Sequence, residues 1–558
     1  MLIRDIIAQR LAEAVEEAQR QAILPSAAMP VVPIERPVNP EHGDFASSLP
    51  LRLARVARMA PLEIANRLQP LVKTDGVIEA VEVAPPGFLN FRVTSRWLQQ
   101  QAVDAVKAGA AYGNTDTGKG KRVQVEFVSV NPTGPVHVGH ARGAVLGSAL
   151  ANALAAAGFE VTREYYINDA GTQMRLFAES LYVRYAQAAG SDEQLPEGGY
   201  RGAYVTELGQ ELARRHGDQF LRMDRAAAVS EMLRIGLDYM IANIRDDLAS
   251  VGVRFDVWFS ERSLFDSKQV DAAMRMLRDR GYTAEREGAL WFTSSLLGED
   301  KDNVLVRGTG QPTYFASDIA YHYNKFAARQ FDRVIDIWGA DHQGHVPRMK
   351  AVVGALGIDP DRLTIIISQL VTLKRGGEVV RASKRTGELV TLRELVDEVG
   401  ADACRFFFLA RSAEAQMEFD LELAKKQSAE NPVYYVQYAH ARIAGILRQA
   451  AERGVTWADG DVSLLTHEAE LALLRKMAML PEIVDGIAVT LGPQALPHYA
   501  LELANAFHWF YDHCRVLPSD DGSLPLAVTK ARLRLCEASK TVLARTLDLM
   551  GMSTPEKM

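Results

Sequence analysis

The sequence predicts a multidomain α/β protein: a parallel, doubly wound sheet domain carrying a helical insertion, an α+β domain before it and an all-α helical bundle after it. Three observations lead there. Short β-branched runs alternate with helical segments from Val123 onward, the pattern of a parallel sheet with crossover helices. Strand patterns cease beyond about Leu421. The chain has 558 residues, too many for one ordinary core and enough for three or four domains of roughly 150 residues.

Residues 1–115 form the expected first domain. MLIRDIIAQRLAEAVEEAQRQA carries acids and repeats apolar residues at helical spacing, so it reads as an amphipathic helix and not as a signal peptide. VIEAVEVAPPGFLNFRV alternates like two strands broken at Pro85-Pro86. YGNTDTGKGKR, from Tyr112 to Arg122, is a polar, glycine-rich linker. The sheet domain is expected over 116–420. Its strands are RVQVEF, FEVTREYYI, RVIDIW (Arg333 to Trp338) and LTIIISQLVTL (Leu363 to Leu373), and a helix starts at His137 and ends near Gly158. The polar-faced helical region from about 176 to 248 reads as an insertion. Amphipathic helices over 421–558 predict the bundle.

Composition narrows the function classes. The net charge is −7, which argues mildly against a nucleic-acid partner unless the cations gather on one face. Cys404, Cys514 and Cys536 are far apart, so neither a zinc ribbon nor a disulfide framework is suggested, and the expected compartment is the reducing cytoplasm. No apolar run reaches membrane-spanning length.

Two segments carry phosphate chemistry. In EFVSVNPTGPVHVGHARG, Glu126 to Gly143, a strand ends, a Pro/Gly turn follows and a helix begins. A helix N-terminus presents unpaired N–H groups and can hold an anion. His137 and His140 share one face of that first turn, and Gly139 between them leaves room for a ring or a phosphate. The second segment is VVRASKRTGELVTL, Val379 to Leu392, where Arg381, Lys384 and Arg385 sit beside Ser383. Clustered cations suit a triphosphate that loses pyrophosphate, because they stabilise the charge on the leaving group.

HVGH resembles the "HIGH" signature of the class I aminoacyl-tRNA synthetases, and RASKR resembles their "KMSKS" loop, with Arg381 and Ala382 in the first two places and Lys384 kept. Some arginyl enzymes lack that lysine and carry one just before the first signature; here that position is Gly134. EFVSVNPTGPVHVGH, REYYINDAGTQM, FDVWFSE, VLVRGTGQPTYFASDIAYH, WGADHQGH, ENPVYYVQYAHARI and the terminal PEKM are similar to arginyl-tRNA synthetase blocks in family order, over nearly the whole chain.

The resemblance implies a Rossmann-like catalytic domain, an ATP-dependent activation of L-arginine and transfer of the arginyl group to tRNA(Arg). It implies that His137, His140 and Lys384 are catalytic, with Gly139, Arg381 and Ser383 joining them around ATP. Residues at the positions of Glu126, Tyr314 and Asp318 bind the guanidinium in the family, and that of Asn131 binds the amino-acid backbone; His342 or Gln343 lines the same pocket. Glu126 also ends a strand where doubly wound sheets bind ligands, and Tyr314 and Asp318 share a helix face. Asn168 and Asp169 either shape the site or support it. No large editing domain stands between the signatures, as suits a side chain that a site pairing many donors can select in one step. For tRNA, the resemblance implies contacts from Phe88 and Asn90 in the first domain and from Tyr438, Tyr511 and Met558 in the bundle. His440 is a further candidate there. Mg²⁺ accompanies ATP. No structural zinc, no membrane and a monomer are expected.

Overall fold

The structure is a computed structural model and describes residues 2–26, 28–380, 389–518 and 524–558. Five strands form the central sheet: β1 (Arg122–Glu126), β2 (Glu160–Ile167), β3 (Val257–Ser260), β4 (Arg333–Gly339) and β5 (Leu363–Ser368). Their order is β5-β4-β1-β2-β3, and every neighbouring pair is parallel. The order therefore reverses between β1 and β4. Crossovers leave to opposite faces there, which opens a crevice at the carboxyl ends of those two strands. The doubly wound sheet is as expected.

The helix α1 (Val138–Ala156) follows β1 and is buried along nearly its whole length. Gly147 makes this possible: a Cβ there would stand 2.2 Å from the Phe127 ring. The helix starts one residue later than expected. His137 has extended backbone (φ −105°, ψ 167°) and occupies the N-cap.

Beyond β2 come α2 (Thr172–Ala188), α3 (Ala203–His216) and α4 (Arg225–Ser250), which bury Phe177, Leu181, Leu208 and Met232 in a core of their own. A small antiparallel sheet of Thr283–Arg286, Ala289–Phe292 and Asn303–Val306 follows. It had not been anticipated; four-residue strands hold too few alternations to stand out. Helix α5 (Tyr314–Tyr323) then ends in a π-helical turn, Asn324–Ala328.

The stretch Leu363–Leu373 is not one strand. It breaks after Ser368, and Val371–Arg375 joins a separate sheet, parallel to Met417–Asp420. Side-chain pattern could not show this, because the break is made by a distant residue. Arg142 of α1, fully buried, donates to the carbonyls of Gln369 (3.1 Å), Ser412 (2.6 Å) and Ala415 (2.7 Å) and so gathers the turn.

In the N-terminal region, strands Ile78–Ala84 and Phe88–Val93 form the expected hairpin, with Phe45–Ser47 added at its other edge. At the other end, α6 (Pro432–Glu452), α7 (Ala495–His513) and α8 (Leu526–Met550) carry the bundle. Ion pairs Arg36–Glu482 (2.8 Å) and Arg475–Asp44 (2.7 Å) join the two regions directly. One hydrophobic core runs from Ile7 through Phe127 and Phe406 to Leu543. Arg405, fully buried, reaches the Met550 carbonyl, the Val251 carbonyl (2.5 Å) and Ser148 Oγ (3.0 Å), so bundle, insertion and α1 meet at one guanidinium. Cutting away the bundle would expose this shared core; point variants are the sounder probe of its role. No helix among the described residues is long and apolar enough to cross a membrane.

Candidate active site

At the head of α1 the rings of His137 and His140 lie 4.0 Å apart, tilted by 33°. Burial lowers the His137 pKa, and burial with the neighbouring His137 lowers His140 to about 4. Both rings are therefore neutral near pH 7. The pair offers N–H donors and not a fixed positive charge. His140 Nδ1 is buried and has no hydrogen-bond partner among the described residues. A polar atom left so is costly unless a ligand completes it. Gly139 is exposed, and a Cβ there would meet only the His137 ring, at 3.6 Å.

These residues open on a cleft of about 680 Å³, lined also by Asn131, Thr133, Gly134, Tyr204, His342, Leu389 and Thr391. Two backbone bonds tie the far side of the second signature to the first: Val138 N–H donates to Val390 O at 3.0 Å, and Leu392 N–H to Val136 O at 2.7 Å. Arg381, Ser383 and Lys384 themselves lie outside the described residues. On the other wall, Tyr204 of α3 donates its hydroxyl to Thr133 O at 2.5 Å. A Cβ on Gly134 would lie 3.2 Å from that hydroxyl. The place where some arginyl enzymes carry an extra lysine is thus overhung by a tyrosine. Tyr204→Phe removes one neutral hydrogen bond, about 1 kcal/mol. It should raise the KM for ATP about fivefold while leaving the KM for arginine unchanged, as read by initial rates of pyrophosphate exchange.

Carboxylates gather beside the cleft. Asn131, at its edge, donates to Gln173 Oε1 (2.6 Å) and touches Asn168 at 3.2 Å. With its amide oriented to satisfy both ends, Asn168 donates to Glu261 Oε2 at 2.7 Å and to Ala170 O at 2.8 Å. Asp169 accepts from Ser260 Oγ (2.5 Å) and from the backbone N–H of Arg262 (2.9 Å), which ties the end of β2 to the end of β3. Burial raises Glu261 to about 7, opposed by hydrogen bonds from Ser317 and Tyr166 and reinforced by Asp318 and Asp169. Asp318 is raised to about 6, by burial first; Glu126 adds to the shift and His322 opposes it. Tyr314 is 54% exposed, and its hydroxyl hangs over Gly171, where a Cβ would stand 2.8 Å away. Glu126 lies deeper, paired with Lys325 at 2.6 Å and accepting from Ser129 Oγ at 3.0 Å. Thus Asn131 reaches Glu261 through Asn168, and Glu126 pairs with Lys325; Glu261 and Lys325 are residues that sequence reading had not singled out. Glu261 and Lys325 point inward only because of strand register and the π-turn, which no local pattern reveals.

Two raised carboxyl groups make the charge of this cluster pH-dependent. An acid is ionised above its pKa, so the pocket gains negative charge as pH rises through about 6 to 7. Acids raised above their unfolded pKa cost the free protein stability as pH rises from the ordinary carboxylate range near 4 through their folded values of about 6 and about 7, because the folded state binds more protons there. A bound guanidinium offsets this. Saturating L-arginine should therefore raise the melting temperature several degrees more at pH 8 than at pH 5.5, measured by scanning calorimetry. Equal shifts at both pH values would remove the carboxylates from the binding site.

His342 lines the cleft but is largely exposed, 3.3 Å from Asp341; Gln343, exposed in the same turn, is not among the lining residues. In the first domain Asn90 is only 6% exposed, in the middle strand of its sheet, while Phe88 is half-buried. In the bundle, Arg442 lies over the Tyr438 ring (4.8 Å) and the Tyr511 ring (4.7 Å), joining both into one surface between α6 and α7. Met558 is half exposed. His440 is buried, and its Nδ1 is bonded to Pro555 O (2.9 Å) in the C-terminal tail.

A parallel sheet reversing at β1/β4 and a histidine pair capping the first crossover helix define a class I aminoacyl-tRNA synthetase, and residues 102–443 match the family model for the class I (R) tRNA synthetase catalytic domain. Residues 2–93 match the arginyl-tRNA synthetase N-terminal domain, and residues 436–558 the DALR anticodon-binding domain. The chain is 55% identical over 558 residues to an arginine–tRNA ligase of Dehalococcoides mccartyi, covering 100% of this chain and 99% of that one. An arginine–tRNA ligase of Desulfitobacterium hafniense is 48% identical over 561 residues, with the same coverage. Among solved structures, a putative arginyl-tRNA synthetase of Campylobacter jejuni matches with TM-score 0.75 at 32% identity, over 83% of this chain and 99% of that one. The Thermus thermophilus arginyl-tRNA synthetase shares the fold over the full length of both chains, with TM-score 0.77 at 22% identity. The chain belongs to the arginine–tRNA ligase family.

Proposed function

We propose that this chain makes arginyl-adenylate from L-arginine and ATP in the cleft at the β1/β4 crevice and passes the arginyl group to the 3′ end of tRNA(Arg). The observation that carries this reading is the adjacency of two unlike subsites. A neutral histidine pair with an unpartnered ring nitrogen faces the phosphate cleft, and partly desolvated carboxylates gather beside it, linked through Asn131 and Asn168.

In the first step an arginine carboxylate oxygen attacks the α-phosphorus. The bond to the bridging oxygen breaks, and pyrophosphate leaves with its electron pair. His137, His140 and the N-terminal N–H groups of α1 hold the phosphate oxygens, and Lys384, with Arg381 and Ser383, steadies the leaving group; Gly139 keeps the space before the rings open. Asp318, Glu126 and Glu261 meet the guanidinium with Tyr314 beside them, and Asn131 meets the α-amino end. In the second step a terminal ribose hydroxyl of tRNA attacks the acyl carbon, loses its proton, and AMP departs. Orientation and charge stabilisation carry both steps, with no covalent enzyme intermediate. Mg²⁺ would accompany the ATP phosphates and supply charge neutralisation there.

The tRNA reading follows the surfaces. Tyr438 and Tyr511 with Met558 form the anticodon surface, since aromatic faces and a guanidinium stack on splayed bases. Phe88, and not the buried Asn90, is the residue of its hairpin open to stacking. Pyrophosphate exchange with each of the twenty amino acids, with and without tRNA(Arg), tests the whole reading. Exchange is expected for arginine alone, strongest with tRNA present; equal exchange with lysine or citrulline would refute it.

A further inference from the structure

Beneath the carboxylate cluster lies a cation that the substrate does not supply. Lys325 is fully buried in the π-helical turn that ends α5. Its ammonium donates to Glu126 Oε2 at 2.6 Å and to Asp336 Oδ1 at 2.8 Å, with the Tyr321 ring centroid 4.1 Å away. Asp336 is on β4, directly opposite Glu126 of β1 in the sheet register. Lysine 325 thus closes the pair across the reversal point of the sheet. His322 braces the other side: Nε2 meets Asp336 Oδ2 at 3.1 Å, and Nδ1 meets the carbonyl of Asp318 at 2.8 Å. One chain of contacts therefore runs from Glu126 through Lys325, Asp336 and His322 to the backbone of Asp318.

A π-turn inserts an extra residue into a helix and re-aims the side chains around it, and such turns recur at functional sites. Here it points Lys325 into the sheet. The other charges around Glu126 are already matched or of like sign. Glu164 on β2 is held by Arg329 and by Tyr321 Oη (2.6 Å). Asp336 and Asp318 are acidic, and Tyr166 offers no positive charge. Among the described residues, Lys325 is the cation that touches Glu126.

We propose that Lys325 is a positioning residue for arginine, keeping Glu126 ionised and aimed at the pocket through a fully buried bridge to Asp336. This rests on the reading of the pocket as the guanidinium site. The Glu126 carboxyl is raised above its ordinary value: burial pushes it up most, the Lys325 ammonium opposes that, and Asp336 and Glu164 add to the push. Without the ammonium, a buried carboxyl between two others takes up a proton near neutral pH. The pocket then loses one acceptor charge, and a cation loses its advantage there.

The test is the pH profile of the arginine KM in pyrophosphate exchange with tRNA(Arg) present, from pH 6 to 9. In the wild type it levels off above about pH 7.5, once Asp318 and Glu261 are ionised. For Lys325→Met it should lie about tenfold higher at pH 7.5 and fall toward the wild-type value by pH 9, as Glu126 ionises late. The ATP KM should not move, which separates this role from general loss of structure. A folded Lys325→Met enzyme with the wild-type profile would overturn the proposal. Should that variant not fold, Lys325→Gln, which keeps a hydrogen-bond donor but removes the charge, carries the same measurement and the same two outcomes. Infrared difference spectra between the intact enzyme and Glu126→Gln give an independent readout. No protonated-carboxyl band is expected for Glu126 at pH 7, and its presence there would equally overturn the inference. If Asp318→Asn also leaves the arginine KM unchanged, the pocket reading is what has failed; if Asp318→Asn raises it while Lys325→Met does not, only the role of Lys325 is lost.

Discussion

Replacing His140 with alanine should lower kcat for arginyl-adenylate formation by about 100- to 1000-fold, the range seen when one preorganised donor is removed from a developing oxyanion, about 2.7–4 kcal/mol. The structure gives the reason for so large an effect. The ring is held against His137 at 4.0 Å, and its Nδ1 is buried without a partner among the described residues. An atom so placed gains most when charge develops on the α-phosphate oxygens, and it needs no reorganisation at that moment. The ring is neutral, with a pKa near 4, so the loss should be the same at pH 6.5 and pH 8.5. The KM values for ATP and arginine should change little, because the contact strengthens chiefly in the transition state. Single-turnover formation of the adenylate measures this directly. A loss confined to KM, or one that grows only at acid pH, would mean that His140 binds substrate as a cation and does not stabilise the transition state.

Asp318→Asn should raise the KM for arginine by about 10- to 150-fold, corresponding to about 1.5–3 kcal/mol for a charged hydrogen bond lost in a closed site. The carboxylate sits on the first turns of α5, and the Asp318 backbone carbonyl meets His322 Nδ1 at 2.8 Å. Its pKa of about 6 leaves it ionised at pH 8 and half-protonated near pH 6. The ratio of variant to wild-type KM should accordingly be greatest above pH 7 and shrink as pH falls, because acid removes from the wild type what the mutation removes from the variant. Competition with citrulline, the neutral isostere, adds a second reading. The wild type should reject it strongly, and Asp318→Asn should reject it less. If citrulline competed equally with arginine against the wild type, the guanidinium pocket would have to be placed elsewhere.

Much of this chain is legible locally. The Asn-Pro-Thr-Gly-Pro turn between a strand and a helix, with histidines at i and i+3, needs only short-range geometry, and it forms as read apart from a one-residue shift of the cap. The parallel sheet follows from β-branched runs separated by helices, and the bundle from helical periodicity after Leu421. Resemblance of whole blocks then identified the chemistry. What remained hidden depends on residues far apart in sequence. The break after Ser368 is made by Arg142, 227 positions before the carbonyl it binds. Glu126 was legible as an acid at the end of a strand, but its partner Lys325 stands 199 positions away and faces it only because a π-turn rotates the chain. Glu261 ends a strand whose side chains all read as half-buried, and only the sheet's order brings it beside Asp318. Residue types, periodicity and turn chemistry therefore determined which elements form and which signature they carry. The tertiary structure decided which carboxylates are desolvated, which are already paired and which face the substrate, because burial and ion pairing depend on three-dimensional distance, and the sequence records only order along the chain.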